Sequence, residues 1–217
     1  MPMNISIFNK SAIEAFEQRY RATFINSLGG FKSLVIIGTK SLSDITNLAP
    51  FSSFFHIGAH PALFGLIFRP GTEERHTLSN IITRQQFTVN HVHASMYVQA
   101  HQTSARYPAG SSEFNATGLT ETYEAGIDAP FVLESRIRIG AVLREKIDIA
   151  LNGTTLLLSE IVYVSMPSDC LQGDGFVDLE KAGTLTCSGL DSYHQTERLS
   201  RLTYAKPASW PQAFDTI

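Results

Sequence analysis

The sequence predicts a mainly β protein, an antiparallel barrel with peripheral helices. Three observations carry that expectation. Short apolar runs follow one another with only brief turns between them over the first half of the chain, whereas parallel strands need a long crossover between them. Two longer runs flank Asn152-Gly153, a dipeptide that favours a tight type I′ hairpin. No G-x-G-x-x-G loop is present to open a dinucleotide-binding βαβ unit.

The elements follow in order. Ser11-Ala12-Ile13-Glu14 has the spacing of a capping box. Ile13, Phe16, Tyr20 and Phe24 recur at three- and four-residue steps, which predicts one helix over 11–28 ended by Gly29-Gly30. Ser33 to Thr39 is a short apolar strand, and Lys40 to Asp44 a turn. Thr46 to Phe55 reads as a broken strand. Pro50 removes one ladder donor, so the strand must lie at an edge, bulge or bend. Ser52 and Ser53 follow at once, beside Phe51, Phe54 and Phe55. Unpaired backbone and short donors next to aromatic rings suit a flat, partly polar ligand. Taken alone, the stretch fits an irregular edge strand as well.

Ala62 to Phe68 is the next strand. Thr77 is a good N-cap for a short helix with Ile81 and Ile82 facing inward. Phe87 to Val92 is a strand, and 94–118 is irregular with one helical turn near Ser111 to Phe114. Val132 to Ile149, with Ile137, Ile139, Ala141 and Leu143 alternating, pairs with Thr154 to Met166. The tail from Gly189 onward reads as turn, helix and Pro-broken segments wrapping the surface. We expect one domain over 1–217, with its barrel core at about 31–166 and a C-terminal wrap at 167–217.

Composition narrows the function classes. Of 217 residues, 43% are hydrophobic, enough for a sizeable core. Only 17% are charged, against roughly 25% in ordinary soluble domains, so part of the surface is expected to be covered by another subunit. The net charge of −3, without a basic stripe, does not favour nucleic acid. No apolar run reaches the roughly 18 residues of a membrane helix. The first residues lack a basic segment followed by an apolar run, so the expected location is cytoplasmic. Cys170 and Cys187 match no metal or redox spacing and read as buried or incidental thiols.

Two places could hold chemistry. Arg75-His76-Thr77-Leu78-Ser79-Asn80 brings a helix start, two basic residues and three polar side chains together. Free amides and the positive end of the helix dipole suit a phosphate there. His91 and His93, two apart on a strand, point to one face, with His101 near in sequence. No acidic or thiol ligand stands close by, so they read as a pocket wall or subunit contact rather than a zinc site. No nucleophile motif is present, which points to a borrowed cofactor or to pure binding.

With both stretches in view, the sequence resembles the flavin reductase-like, FMN-binding split-barrel family, which includes flavoredoxins, from about Phe31 to about Tyr204. The residues that carry the resemblance are Asn47 to Phe54, Thr77-Leu78-Ser79-Asn80-Ile81 and Phe87-Thr88-Val89-Asn90, in that order. Ser112-Glu113-Phe114 and Gly118-Leu119-Thr120 add a further family element. The resemblance implies an antiparallel split barrel that binds FMN without a covalent link, usually as a homodimer with the flavin near the interface. By position, Asn47, Leu48, Ala49, Pro50, Phe51, Ser52 and Ser53 would lie along the ring and ribityl chain. Arg75, His76, Thr77, Ser79 and Asn80 would hold the phosphate. Relatives often carry Lys-Asp or Arg-Asp before the Thr; Arg75-His76 departs from that pattern. His91, His93 and Tyr193 read either as the substrate side of the flavin or as packing and interface residues.

The activity so implied is an FMN-dependent oxidoreductase, a flavin reductase taking hydride from NADH or NADPH for a small-molecule or protein acceptor. It requires no side-chain acid or base, so no catalytic residue is named. The alternatives are an FMN-binding electron carrier that makes no direct use of NAD(P)H, and a non-flavin split barrel that binds haem or a metal.

Overall fold

The computed structural model describes residues 4–71, 76–108, 110–124 and 126–214. In chain order the elements are α1 (Lys10–Ala15), α2 (Gln18–Leu28), β1 (Lys32–Ser33), β2 (Val35–Lys40), β3 (Thr46–Phe51), β4 (Phe54–Ala59) and β5 (Ala62–Phe68). Then come α3 (His76–Arg84), β6 (Gln86–His91), α4 (Tyr97–Gln102), α5 (Glu113–Thr117), β7 (Glu121–Thr122) and β8 (Phe131–Val132). The long pair β9 (Arg138–Ile149) and β10 (Thr154–Ser165) precedes β11 (Thr186–Ser188) and β12 (Ser192–His194).

Seven strands form one antiparallel sheet in the order β3-β2-β6-β9-β10-β5-β4. Its two edge strands, β3 and β4, are consecutive in the chain, with only Ser52 and Ser53 between them. Laid flat, seven strands at about 4.8 Å spacing would hold the edges roughly 29 Å apart. A two-residue link reaches no more than about 10 Å. The sheet therefore curls until its edges meet, which makes a barrel with a seam between β3 and β4.

The barrel interior is filled by Val35, Ile37, Phe64, Leu66, Phe87, Val89, Ile139, Ala141 and Leu157, among others. A second core lies on the opposite face of β2 and β3, where Ile36 and Leu48 meet Met96, Ala100, Phe114, Val132 and Cys187. Strand β2 is thus covered on both faces, which is why its sequence is continuously apolar rather than alternating. Gly38 sits where the chain crosses closest. A Cβ there would lie 2.1 Å from the Pro130 carbonyl oxygen and 2.4 Å from Thr88 Oγ1.

Several expectations are corrected. The helix predicted over 11–28 is two helices: Asn9, not Ser11, caps α1, and Glu17 accepts from the amides of Arg19 and Tyr20 to start α2 afresh. His76 and Thr77 are both helical in α3, so Thr77 lies inside the helix and is not its cap. Ile81 is buried, but Ile82 is 39% exposed, because neighbours on a helix diverge by 100° and only one faces the sheet. The long hairpin closes with Ile149 opposite Thr154, leaving a four-residue loop. Gly153 takes positive φ while Asn152 does not, so the two successive positive φ values of a type I′ turn are absent. Helix α4 falls in the stretch read as irregular. The described part of the tail contains no helix; it folds back on itself through bridges Leu202–Ala213 and Lys206–Ser209.

Candidate functional site

Among the described residues, edge strand β3 is paired on one side only, to β2. On its outer side the Leu48 amide donates to Glu113 Oε2 at 2.9 Å. Backbone donors alternate along a strand, so Pro50, two residues on, has its missing N–H on that same outer side. The proline costs no ladder bond there, which explains its place. This corrects the picture of a donor-rich strand: between Thr46 and Pro50 the outer edge presents carbonyls. The Ser52 hydroxyl carries no partner among the described residues. Ser53 Oγ donates to the Ile67 carbonyl and accepts the Ile67 amide, stitching the start of β4 to β5.

Helix α3 packs on β2 and β3. A buried hydrogen-bond network fixes it there. Asn47 Oδ1 accepts from Thr77 Oγ1 at 2.8 Å and from Thr39 Oγ1 at 3.2 Å. Thr39 Oγ1 in turn accepts from Asn80 Nδ2 at 3.1 Å. Asn47 Nδ2 donates to Glu113 Oε2 at 2.9 Å. All five residues, Thr39, Asn47, Thr77, Asn80 and Glu113, are under a tenth exposed. The edge strand and the helix start, thirty residues apart in sequence, are one unit in space.

The remaining predicted residues divide by environment. Leu48 is fully buried in the second core, and Phe51 packs edge-on against Phe68 at 4.8 Å. Both therefore anchor the strand through their side chains and leave only backbone at its edge. Ala49 pairs with Ile37 and shares its face. His76 is half-buried and Ser79 is exposed on the first turn of α3. Arg75 lies outside the described residues. Asn90, from the matched strand β6, is wholly buried; it donates to the Ile36 carbonyl and accepts the Val132 amide, pinning β8 to the barrel.

His91, His93 and Tyr193 do not meet. His91 faces the barrel side, with its ring 6.4 Å from that of Phe54 and Nδ1 3.3 Å from Thr184 Oγ1. Burial pushes its pKa down to about 4. His93 Nε2 lies 2.8 Å from the Glu134 carbonyl and Nδ1 lies 2.9 Å from Ser95 Oγ. A carbonyl only accepts, so Nε2 carries the proton and both ring nitrogens are used. Tyr193 bonds His101 and packs beside Tyr97. Among the described residues no three His, Cys, Asp or Glu side chains gather as a metal site. Among the described residues no helix is long and apolar enough to cross a membrane.

Glu113 and Thr39 are the residues that sequence reasoning missed as parts of this site. Ser112-Glu113-Phe114 is recognisable as a family element, but nothing local says that its carboxylate reaches a strand 65 residues earlier.

An antiparallel barrel open at its β3–β4 seam, with helix α3 hydrogen-bonded to the seam strand, is a split barrel. The sequence model of the Flavin reductase like domain family matches residues 29–180, and the chain belongs to that family. The structure is similar to that of a Shewanella frigidimarina protein assigned as a flavin reductase with split barrel domain. The two share 48% identity, with 92% of this chain and all of that one covered and a TM-score of 0.89. Nitrilotriacetate monooxygenase component B from Bacillus cereus shares the fold at 19% identity, over 93% of this chain and all of that one, with a TM-score of 0.81. Flavoredoxin of Desulfovibrio vulgaris shares it at 22% identity, over 82% and 92% of the two chains, with a TM-score of 0.67.

Proposed function

We propose that the protein binds FMN non-covalently and passes electrons from NADH or NADPH through it to an acceptor. The observation that carries this reading is the Asn47–Thr77 bond, which sets an anion-ready helix start beside an unpaired strand edge. The residues present fit the group. The first turn of α3 offers backbone amides and the positive dipole end to a phosphate. The outer edge of β3 offers carbonyls, and Ser52 offers a hydroxyl, to the polar rim of a flat ring.

When bound, FMN supplies the hydride-accepting chemistry. The chain's own residues position and shield. Glu113 and Pro50 leave β3 without an outward donor between Thr46 and Pro50, so that edge accepts from a ring N–H. Leu48 and Phe51 hold the backbone in register from their two cores. Thr77 and Asn80 spend their side chains on Asn47 and Thr39, so the contribution of α3 to phosphate is chiefly its amides, with Ser79 and His76 at hand.

The same proposal includes a homodimer. Helices α1 and α2 bury no residue within the chain. Phe16 meets Phe8, Tyr20 and Phe24 at 5.5, 4.7 and 5.4 Å in an aromatic group on that arm. Such a surface fits a second copy better than water, and sedimentation velocity tests it.

The test of the activity is direct. Purified protein is titrated with FMN and its absorption spectrum recorded, then NADH and NADPH oxidation is followed with free flavin as acceptor. Saturable FMN binding with turnover of either nucleotide is expected. Bound FMN reduced only by a protein donor would make the protein an electron carrier, and failure to take up FMN would remove the flavin reading altogether.

A further inference from the structure

We infer that Glu113 is the positioning residue that sets both the place and the polarity of the β3–α3 cradle. The hydrogen bonds run in one direction. Asn80 donates to Thr39, Thr39 donates to Asn47, and Asn47 donates to Glu113. Thr77 joins at the same Asn47 oxygen. A carboxylate oxygen accepts and does not donate, so Glu113 obliges Asn47 to turn its NH2 outward and its oxygen toward Thr77 and Thr39. That orientation commits the Thr77 hydroxyl to Asn47 and draws the first turn of α3 against the strand. The same Glu113 oxygen takes the Leu48 amide, which fixes the outer edge of β3 at the next residue.

Neighbouring contacts hold Glu113 in place. Ser112 Oγ lies 2.7 Å from Thr46 Oγ1, which donates to Glu121 at 2.5 Å. Glu113 is only 5% exposed. A buried carboxylate needs partners of this kind, and here both partners belong to one dipeptide, Asn47-Leu48.

Both donors reach the same oxygen, and this separates geometry from charge. Glu113→Gln can place its amide oxygen where Oε2 stands and keep both bonds. Glu113→Ala leaves the Asn47 NH2 and the Leu48 N–H without a partner. Glu113→Asp, with a shorter arm, falls short of both.

The inference deepens the FMN reading and rests on it only for its ligand consequence. The experiment therefore has two readouts. Backbone hydrogen exchange of the flavin-free protein is followed over 46–51 and 76–81, and the affinities for FMN and riboflavin are measured side by side. For Glu113→Ala we expect faster exchange in both segments. We also expect FMN affinity to fall about tenfold to a hundredfold, with most of its preference over riboflavin lost. Glu113→Gln should restore protection and come within about threefold of the parent, a difference of under 1 kcal/mol. If Glu113→Ala fails to fold, Glu113→Asp replaces it with the same expectation. Unchanged exchange and affinity in a folded Ala or Asp variant would overturn the inference, and so would a Gln variant as impaired as Ala. A parent protein that ignores FMN, while Glu113→Ala still loosens 76–81, would overturn the flavin reading and leave the positioning role standing.

Discussion

The Thr77 hydroxyl donates to the Asn47 carboxamide oxygen across 2.8 Å, and this single contact joins the seam strand to the helix that starts thirty residues later. Because the other end of Asn47 points at Glu113 Oε2 at 2.9 Å, an Asn47→Asp substitution would place one carboxylate oxygen against another. We expect a loss of about 3 kcal/mol, typical of a broken buried charged network, read by urea unfolding. Combining it with Glu113→Gln should recover most of that loss, because one of the two charges is gone. A double mutant no better than Asn47→Asp would argue against direct repulsion.

Gly38→Ala should destabilise the barrel. The new methyl would overlap the Pro130 carbonyl and Thr88 Oγ1, which already share a 2.6 Å hydrogen bond. Neither is a flexible tip, so β2 or the 130–132 segment must move. Overpacking of this kind costs about 1–3 kcal/mol, and the midpoint of urea unfolding should fall accordingly.

Acid sensitivity should include a histidine component. His91 titrates near pH 4 in the folded chain because burial disfavours its charged form, against about 6.5 unfolded. Its folded value is depressed, so the unfolded chain binds the extra proton first. The stability it contributes is whole above about pH 6.5 and is lost as pH falls toward about 4. Asp128, held ionised by Lys40, and Asp178, held by Arg198, contribute only at lower pH. Thermal melts between pH 7 and 4 should therefore show a falling Tm that flattens in His91→Gln.

The C-terminal hairpin hangs on Arg201. Its guanidinium sits 4.0 Å from the Phe176 ring centre and 5.0 Å from that of Phe214, and it bonds Gln172 and Asp174. Arg201→Ala should free the hairpin while leaving the barrel intact. Chymotrypsin is expected to cut faster at Tyr204 and Trp210, which are 88% and 92% exposed, with no change in the cooperative unfolding of the barrel.

Residues that read correctly from sequence are those whose neighbours are local or whose pattern repeats. Ile137, Ile139, Ala141 and Leu143 alternate and all face the interior. Pro50 announced an edge, and β3 is one. The misreadings share a different cause. Glu17 restarts a helix through its own side chain, a local alternative that an apolar repeat across it conceals. Asn152-Gly153 carries a hairpin signal, yet the strand register at Ile149 and Thr154 left room for two more residues. Glu113 acts on a strand 65 residues away, and no periodicity encodes a contact of that range.

Helix α2 has eleven residues and none of them is buried. A helix of that length is marginal in water when nothing packs against it, and α1, with six residues, is shorter still. If the homodimer proposed above forms, the order of residues 10–28 should depend on the partner copy rather than on the single chain. Dilution should show itself as lost ellipticity at the amino terminus while the strands below keep theirs.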